Sequence, residues 1–123
     1  MSSSTPVYIV GSEAVEVVSS FINALNEQDW NAARKFVSND MIFEGIQGSK
    51  ENAEAYFHDV ERMRLKYNIQ KIFEDGKDVC LIYEFSMWGE TLPGCGLYHI
   101  ENGKINSLRV IFDPRPLLEA EHV

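Results

Sequence analysis

Apolar residues in the first half of the chain recur at the spacing of helices. From Ser12 onward they return every three or four positions, which predicts an amphipathic helix with Ser12 as its N-cap. Asp29 is the candidate N-cap of a second, shorter helix, and Ser49 is the candidate N-cap of a third. Between the second and third helices, "MIFEGIQG" (Met41–Gly48) is the first candidate strand.

The second half of the chain has the period of β-strands, because apolar and polar residues alternate from Tyr67 onward. Four segments show this alternation: "YNIQKIFE", "VCLIYEFSMW", "CGLYHI" and "INSLRVIF". The separators "DGK", "GETLPG" and "ENGK" are too short for crossover helices, so the strands should form an antiparallel meander. "DPRP" should end the last strand, since proline cannot donate to a strand ladder. The order α-α-β-α-β-β-β-β predicts a single α+β domain over residues 1–123, with helices packed on a curved sheet.

The turn between the last two strands decides which face of the last strand points inward. If Asn102 and Gly103 form a two-residue turn, Ile100 pairs with Ile105. If residues 101–103 form a three-residue loop with a bulge, residue 100 faces residue 104 instead. This shift exchanges the two faces of the last strand. The Asn-Gly dipeptide favours the tighter turn, and both faces of "VCLIYEFSMW" are too apolar to decide the matter.

Composition and charge restrict the kinds of molecule that the protein is expected to bind. The chain has 123 residues, 45% of them hydrophobic, which is enough for one packed core. Its net charge is −8 and it has no run of Lys or Arg, so we expect no binding to nucleic acid or anionic membranes. "MSSSTPVYIVG" lacks the features of a signal peptide, and no apolar run approaches the roughly 18 residues of a membrane span. Cys80 and Cys95 lack metal-ligand spacing. We therefore expect a cytoplasmic protein with no metal and no cofactor.

Two segments of the sequence resemble those of a known group of proteins. With "FINALNEQDWNAARKFVSNDMIFEGIQG" early and "YHIENGKINSLRVIFDPRPL" late, the chain resembles the nuclear transport factor 2-like superfamily over residues 12–118. This superfamily contains ketosteroid isomerases, SnoaL-like polyketide cyclases and limonene epoxide hydrolases. The resemblance implies a conical α+β domain, usually dimeric, whose sheet wraps around a small-molecule pocket. Its register for the last hairpin implies the looser, three-residue loop, and we adopt that register.

The catalytic positions of these relatives fall mainly on apolar residues or glycines in this chain. The first-helix tyrosine of the isomerases falls on Phe21, and their second aspartate falls near Gly96. The Asp-Arg-Asp triad of the epoxide hydrolases falls on Phe85, Tyr83 and Val110. Tyr83 is the exception among these positions, so none of the three reactions transfers directly.

The same register predicts which residues face the pocket. Tyr83 and Tyr98 carry the polar atoms, and we expect them to polarise a carbonyl or phenol as the catalytic pair; the alternative is that their hydroxyls bond to the backbone within the core. The predicted ligand-binding residues are Phe21, Phe43, Phe57, Phe85, Met87, Val110 and Phe112. These residues predict a pocket for a hydrophobic small molecule, serving a cofactor-independent isomerase, cyclase or hydrolase. The alternative is a non-catalytic dimerisation or binding module.

We make a separate prediction for the outer face of the sheet, which points away from the pocket. An apolar stripe there predicts a homodimer with the sheets packed face to face, formed by Cys80, Ile82, Trp88, Leu97 and Ile111. Glu44, Glu84, His99 and Arg109 share this outer face in the family register. If the sheet is flipped, the last three would converge in the cone and suit general-base chemistry, and pairing Trp88 with Cys95 would put Glu84 opposite His99.

Overall fold

Helices cover one face of a single curved sheet in the residues described by the computed structural model, which are 12–46 and 48–117. The helices are α1 (Glu13–Asn26), α2 (Trp30–Arg34) and α3 (Ala53–Met63). The strands are β1 (Val37–Gly45), β2 (Gly48–Lys50), β3 (Lys66–Asp75), β4 (Asp78–Met87), β5 (Glu90–Glu101) and β6 (Lys104–Phe112). The predicted α+β class and the order of the main elements are confirmed. No helix in these ranges is long and apolar enough to cross a membrane.

The first two helices begin where the sequence predicts. The Val15 N–H donates to Ser12 Oγ at 3.0 Å, and the Ala32 N–H donates to Asp29 Oδ1 at 3.1 Å. Each cap satisfies a backbone donor that the first turn of a helix leaves without an intrahelical partner. Both predicted N-caps are therefore confirmed.

The third helix begins later than predicted. Its N-cap is Asn52, whose Oδ1 accepts from the Ala55 N–H at 2.8 Å, so the assignment of Ser49 as the cap is wrong. Ser49 lies instead in β2 and pairs with Glu44 of β1. β1 itself starts at Val37, four residues before the predicted strand. Sequence alone could not favour β2, because a three-residue strand has no period to detect.

The sheet has the order β2-β1-β6-β5-β4-β3. The four long strands β3 to β6 pair antiparallel in succession, which confirms the predicted meander. β1 pairs with β6 in parallel and antiparallel with β2, so the sheet as a whole is mixed.

The β4–β5 hairpin is tighter than the sequence predicts. Trp88 and Gly89 both have positive φ, 53° and 83°, and form a two-residue turn. β5 therefore begins directly after the turn and contains most of "GETLPG". The predicted pairing of Trp88 with Cys95 is wrong, and Glu84 does not face His99.

The β5–β6 hairpin combines the two alternatives for the last turn. Asn102 and Gly103 have φ of 52° and 76°, and Ile100 pairs with Ile105, so the three-residue loop is wrong. The register then shifts by one residue in β6, which makes Asn106 a bulge and turns to the inside the face of β6 that the family register assigns there. The faces are therefore those that the family register assigns, although the bulge lies after the turn.

The inner face of the sheet carries the residues predicted to point inward. On β4, Tyr83, Phe85 and Met87 are buried, whereas Glu84 and Ser86 between them are exposed. This alternation continues across β5 and β6, where buried Tyr98 pairs with buried Leu108. α1 packs its buried residues over this face, namely Val18, Phe21, Ile22 and Leu25.

The flipped sheet, in which Glu84, His99 and Arg109 would converge in the cone, is wrong. Glu84 and Arg109 are exposed, and Arg109 Nη2 lies 3.0 Å from Glu44 Oε1 on the outer face. Glu44 therefore points outward, as the family register predicts. General-base chemistry by these three residues within the cone is excluded.

Candidate functional site

A cavity of about 410 Å³ opens between the inner face of the sheet and α3. Its position follows from the sheet's curvature, which leaves space that α1 does not fill. Its lining residues are Phe43, Gly45, Ile46, Gly48, Ser49, Lys50, Tyr56, Asp59, Val60, Arg62, Met63, Leu65, Tyr67, Tyr83, Phe85, Met87, Trp88, Val110, Phe112, Pro114 and Leu117. The volume falls within the range of small-molecule sites, about 300 to 1,000 Å³.

Aromatic contacts fix the wall of the cavity. The rings of Tyr67 and Tyr83 meet edge to face, with centroids 5.0 Å apart. Phe85 meets Phe112 in the same way at 5.1 Å. Such pairs stabilise their own geometry beyond the effect of burial, so these contacts favour this arrangement of the wall.

Two tyrosine hydroxyls lie close to the backbone of Gly96 beneath this wall. Tyr83 lines the cavity, while Tyr98 lies behind it and is 1% exposed. A Cβ atom on Gly96 would lie 3.3 Å from Tyr98 Oη and 3.4 Å from Tyr83 Oη. Among the side-chain hydrogen bonds found within the described residues, none ends on either hydroxyl. The missing side chain at Gly96 therefore provides the space in which the two phenols converge.

Burial keeps these phenols neutral. It raises the pKa of Tyr83 and Tyr98 well above the ordinary value of a tyrosine, and it does the same for Tyr56 and Tyr67. At neutral pH the hydroxyls are thus hydrogen-bond donors and not bases. A neutral phenol suits the polarisation of a carbonyl or the stabilisation of a developing oxyanion.

The mouth of the cavity is charged. Lys50 Nζ lies 3.2 Å from Asp59 Oδ2, and Arg62 Nη2 lies 3.6 Å from Asp59 Oδ1. Burial tends to raise the pKa of Asp59, but the hydrogen bond from Lys50 and the nearby Arg62 outweigh it, so the pKa is lowered. Asp59 is therefore an ionised, weakly basic carboxylate shared by two cations.

Trp88 also belongs to the mouth. The left-handed backbone of the β4–β5 turn ends the alternation of β4 at Met87, and the Trp88 ring lines the cavity while remaining 61% exposed. The prediction that Trp88 belongs to the apolar stripe on the outer face of the sheet is therefore wrong.

The structure distributes the predicted site residues between the cavity and the core. The residues that line the cavity are Tyr83, Phe43, Phe85, Met87, Val110 and Phe112. Phe21, Phe57 and Tyr98 lie behind this lining, where the Phe21 ring packs on Phe57 at 6.3 Å and on Tyr98 at 6.4 Å. These three can reach a ligand only through the residues in front of them.

Sequence reasoning missed the part of the site that α3 contributes. Tyr56, Asp59 and Arg62 line the cavity but are not among the predicted catalytic or ligand-binding residues. The three residues follow at intervals of three, which places them on one side of a helix. This spacing could have indicated that polar residues border the apolar face, but only the structure brings Lys50 of β2 beside them.

The outer face carries a separate polar cluster. His99 Nδ1 lies 2.7 Å from Asp78 Oδ1, and His99 Nε2 lies 2.8 Å from Glu101 Oε2. These two hydrogen bonds raise the pKa of His99. Within residues 12–46 and 48–117, no group of three His, Cys, Asp or Glu side chains is arranged to hold a metal ion.

A curved sheet covered by helices around an apolar pocket defines the class as a cone-shaped protein of the nuclear transport factor 2-like type. A family model of the SnoaL-like domain matches residues 18–108, and the chain belongs to this family. The chain is 47% identical to an NTF2-like protein of unknown function from Cytophaga hutchinsonii, with a TM-score of 0.84; the match covers 85% of this chain and 94% of that one.

A more distant structure has the same fold. An LEH-like epoxide hydrolase from M. tuberculosis is 21% identical over 87% of each chain, with a TM-score of 0.74. At this identity the likeness shows the fold alone. No curated protein matches the chain significantly.

Proposed function

We propose that this protein binds a hydrophobic small molecule in the cavity and that Tyr83 donates a hydrogen bond to a carbonyl or phenol oxygen of that molecule. The observation that carries the proposal is an apolar cavity of about 410 Å³ whose wall contains a neutral tyrosine hydroxyl. Tyr98 supports Tyr83 from behind, because its hydroxyl approaches the same point over Gly96.

As an enzyme, the protein would act without a cofactor as an isomerase, cyclase or hydrolase. Membership of the SnoaL-like family supports these reaction classes. The Tyr83 hydroxyl would stabilise negative charge that develops on the substrate oxygen, and Tyr98 would act through Tyr83. For any candidate substrate, Tyr83→Phe and Tyr98→Phe should lower the rate severalfold, and unchanged kinetics in both variants would contradict a catalytic role.

A non-catalytic binding module is the second candidate. The observation that favours it is the distribution of charge: the carboxylate among the lining residues, Asp59, lies at the mouth and is held by two cations. General-base catalysis requires a base within reach of the proton it removes. Rate measurements on a ligand that binds would separate the two candidates.

Ligand binding itself can be tested with N-phenyl-1-naphthylamine, a neutral dye that fluoresces in apolar surroundings. The wild-type protein should bind about one dye molecule per chain. Val110→Trp should abolish binding, because Val110 lines the cavity and a larger side chain would fill it. Ser86→Trp is the matched control, since Ser86 is exposed on the outer face of β4. Absence of dye binding in the folded wild type would contradict the proposed function.

We also propose a homodimer formed through the outer face. Large apolar side chains are exposed there on neighbouring strands, with Ile42 at 49%, Leu97 at 43% and Ile111 at 57%. Exposed apolar area of this kind favours a partner surface, and a second copy of the chain would cover it on both subunits. Sedimentation velocity should give a dimer, and Leu97→Lys should give a monomer. A wild-type monomer at micromolar concentration would contradict this proposal.

We also propose that the protein is cytoplasmic. The support is that Cys80 and Cys95 are free thiols although their Sγ atoms lie 4.0 Å apart. In an oxidising compartment such a pair would be open to oxidation. Alkylation of thiols at the moment of lysis should label both cysteines. A disulfide-linked pair in the native source would contradict this location.

A further inference from the structure

The charged residues that line the cavity carry a net positive charge, although the protein as a whole is acidic. The whole chain has a net charge of −8, whereas the charged lining residues are Lys50, Arg62 and Asp59. Two cations thus face one carboxylate, which leaves one positive charge without an acidic partner in the lining. His58 Nδ1 also lies 3.7 Å from Asp59 Oδ1 and adds no negative charge.

The two cations are placed to reach a ligand. The side chain of Lys50 is 42% exposed and that of Arg62 is 66% exposed, whereas the wall behind them is buried. The guanidinium of Arg62 lies 3.6 Å from Asp59 through Nη2, which is longer than a hydrogen bond. A planar guanidinium beside an ammonium matches a carboxylate, which accepts several hydrogen bonds at once.

The interior of the cavity also restricts which ligands can bind. The wall is apolar and aromatic, and its phenols are donors because burial raises the pKa of Tyr67 and Tyr83. A cation deep in such a cavity would lose its hydration without gaining a partner. The cavity therefore favours an uncharged apolar body with its charge, if it has one, at the mouth.

We propose that the ligand of this pocket is an apolar carboxylic acid, with an aromatic or alicyclic body in the cavity and its carboxylate bound by Lys50 and Arg62 at the mouth. This proposal rests on the proposed function, since it names the class of ligand for the same cavity. An oxygen at the far end of such a ligand would meet the hydroxyl of Tyr83. The carboxylate would compete with Asp59 for the two cations.

Competition against bound N-phenyl-1-naphthylamine tests the proposal with two probes that share one ring system and differ in one group, which is charged in the first and neutral in the second. Naphthalene-2-carboxylate and its neutral amide have the same ring system and almost the same shape. In the wild type, the carboxylate should displace the dye at a concentration at least fivefold lower than the amide. In Lys50→Met/Arg62→Met, this preference should fall to about one, while the dye and the amide still bind.

Matched variants separate a local contact from the overall charge of the protein. Lys35→Met/Lys104→Met removes two exposed cations that do not line the cavity, so the preference for the carboxylate should persist. Asp59→Asn removes the internal competitor, so the preference should increase. If Asp59→Asn lowered the preference, or if wild type bound both probes equally, the proposed carboxylate site would be wrong.

The dye distinguishes failure of this inference from failure of the proposed function. Equal binding of the two probes in the presence of normal dye binding would overturn the carboxylate site and leave the hydrophobic pocket in place. A folded wild type that binds neither the dye nor the probes would overturn both.

Discussion

The hydroxyl oxygens of Tyr83 and Tyr98 lie within 3.4 Å of one point, the position that a Cβ atom on Gly96 would occupy. The two tyrosines come from neighbouring strands, and Gly96 stands opposite Leu81 between them. A glycine in the middle of a strand is unfavourable unless the space beside it is used. Here the space is used by two phenols, one of which faces the cavity.

Replacing Gly96 by alanine should destabilise the protein by about 1 to 3 kcal/mol, because the new methyl group would crowd a packed core. The added Cβ would lie 3.0 Å from Tyr98 Cε1, which is tighter than most Cβ contacts, so the packed ring would have to move by a few tenths of an ångström. Urea denaturation measures the change in the free energy of unfolding. In a Tyr98→Leu background the cost of Gly96→Ala should shrink, and an equal cost in both backgrounds would contradict the crowding.

The tyrosines of the cavity and core should resist ionisation at high pH. Burial raises the pKa of Tyr56, Tyr67, Tyr83 and Tyr98 above the ordinary value, so their neutral forms stabilise the fold. Because the folded pKa is the higher one, this stabilisation is complete below about pH 10 and is lost as the pH rises towards the folded pKa.

Ultraviolet absorbance near 295 nm, which reports tyrosinate, tests this expectation. At pH 11 at most one of the five tyrosines should be ionised while far-ultraviolet circular dichroism still reports a folded chain. The remaining tyrosines should ionise together with unfolding. Gradual ionisation of several tyrosines in the folded state would show that they contact water.

His99 should remain protonated above the pH at which a free histidine loses its proton. Its hydrogen bonds to Asp78 and Glu101 raise its pKa, and the bonds from His99 and Lys77 lower that of Glu101. The raised histidine pKa gives stability that is full below about pH 6.5 and is lost as the pH rises through the folded pKa. The lowered glutamate pKa gives stability that is lost as the pH falls through that folded pKa.

A nuclear magnetic resonance titration of the imidazole signals, assigned with His99→Gln, measures this pKa. It should exceed the ordinary value in the wild type and fall in Asp78→Asn, which removes one acceptor. The urea midpoint of the wild type should exceed that of His99→Gln more at pH 6 than at pH 9. A difference that is constant over this range would contradict the ionic role of His99.

The turn between β5 and β6 should depend on Gly103 and not on Asn102. Both residues have positive φ, which costs an ordinary residue about 1 to 2 kcal/mol. Gly103→Ala should lower the free energy of unfolding by about 1 kcal/mol, whereas Asn102→Gly should be neutral or stabilising. Thermal unfolding of both variants provides the comparison. Equal effects would contradict the two-residue turn.

The sequence determined the elements whose signals are local. Ser12 and Asp29 cap helices because a side-chain oxygen next to an unpaired backbone N–H is a property of a few consecutive residues. The alternation from Tyr67 onward likewise predicts strands, since the period of a strand is read within one segment. The inward-facing residues of β4 could be predicted once the family register showed which face of the sheet points to the pocket.

The sequence could not place the bulge at Asn106, because its cause lies elsewhere in the fold. The Ile105 N–H donates to the carbonyl oxygen of Phe36 at 2.7 Å, and Ile105 is fully buried. These contacts hold the start of β6, and the extra residue then shifts the remaining pairs by one position, so that Tyr98 faces Leu108. The Asn-Gly dipeptide therefore predicts the β5–β6 turn correctly, whereas tertiary contacts determine which face of β6 points inward.

The composition of the cavity was also decided by tertiary structure. Phe85, Met87 and Tyr83 could be predicted because they alternate on one strand. Lys50 and Asp59 could not be paired from the sequence, since β2 is too short to show a period and lies nine residues from Asp59. A strand period determines which side chains share a face, but the curvature of the sheet and the position of α3 decide which of them surround an open space.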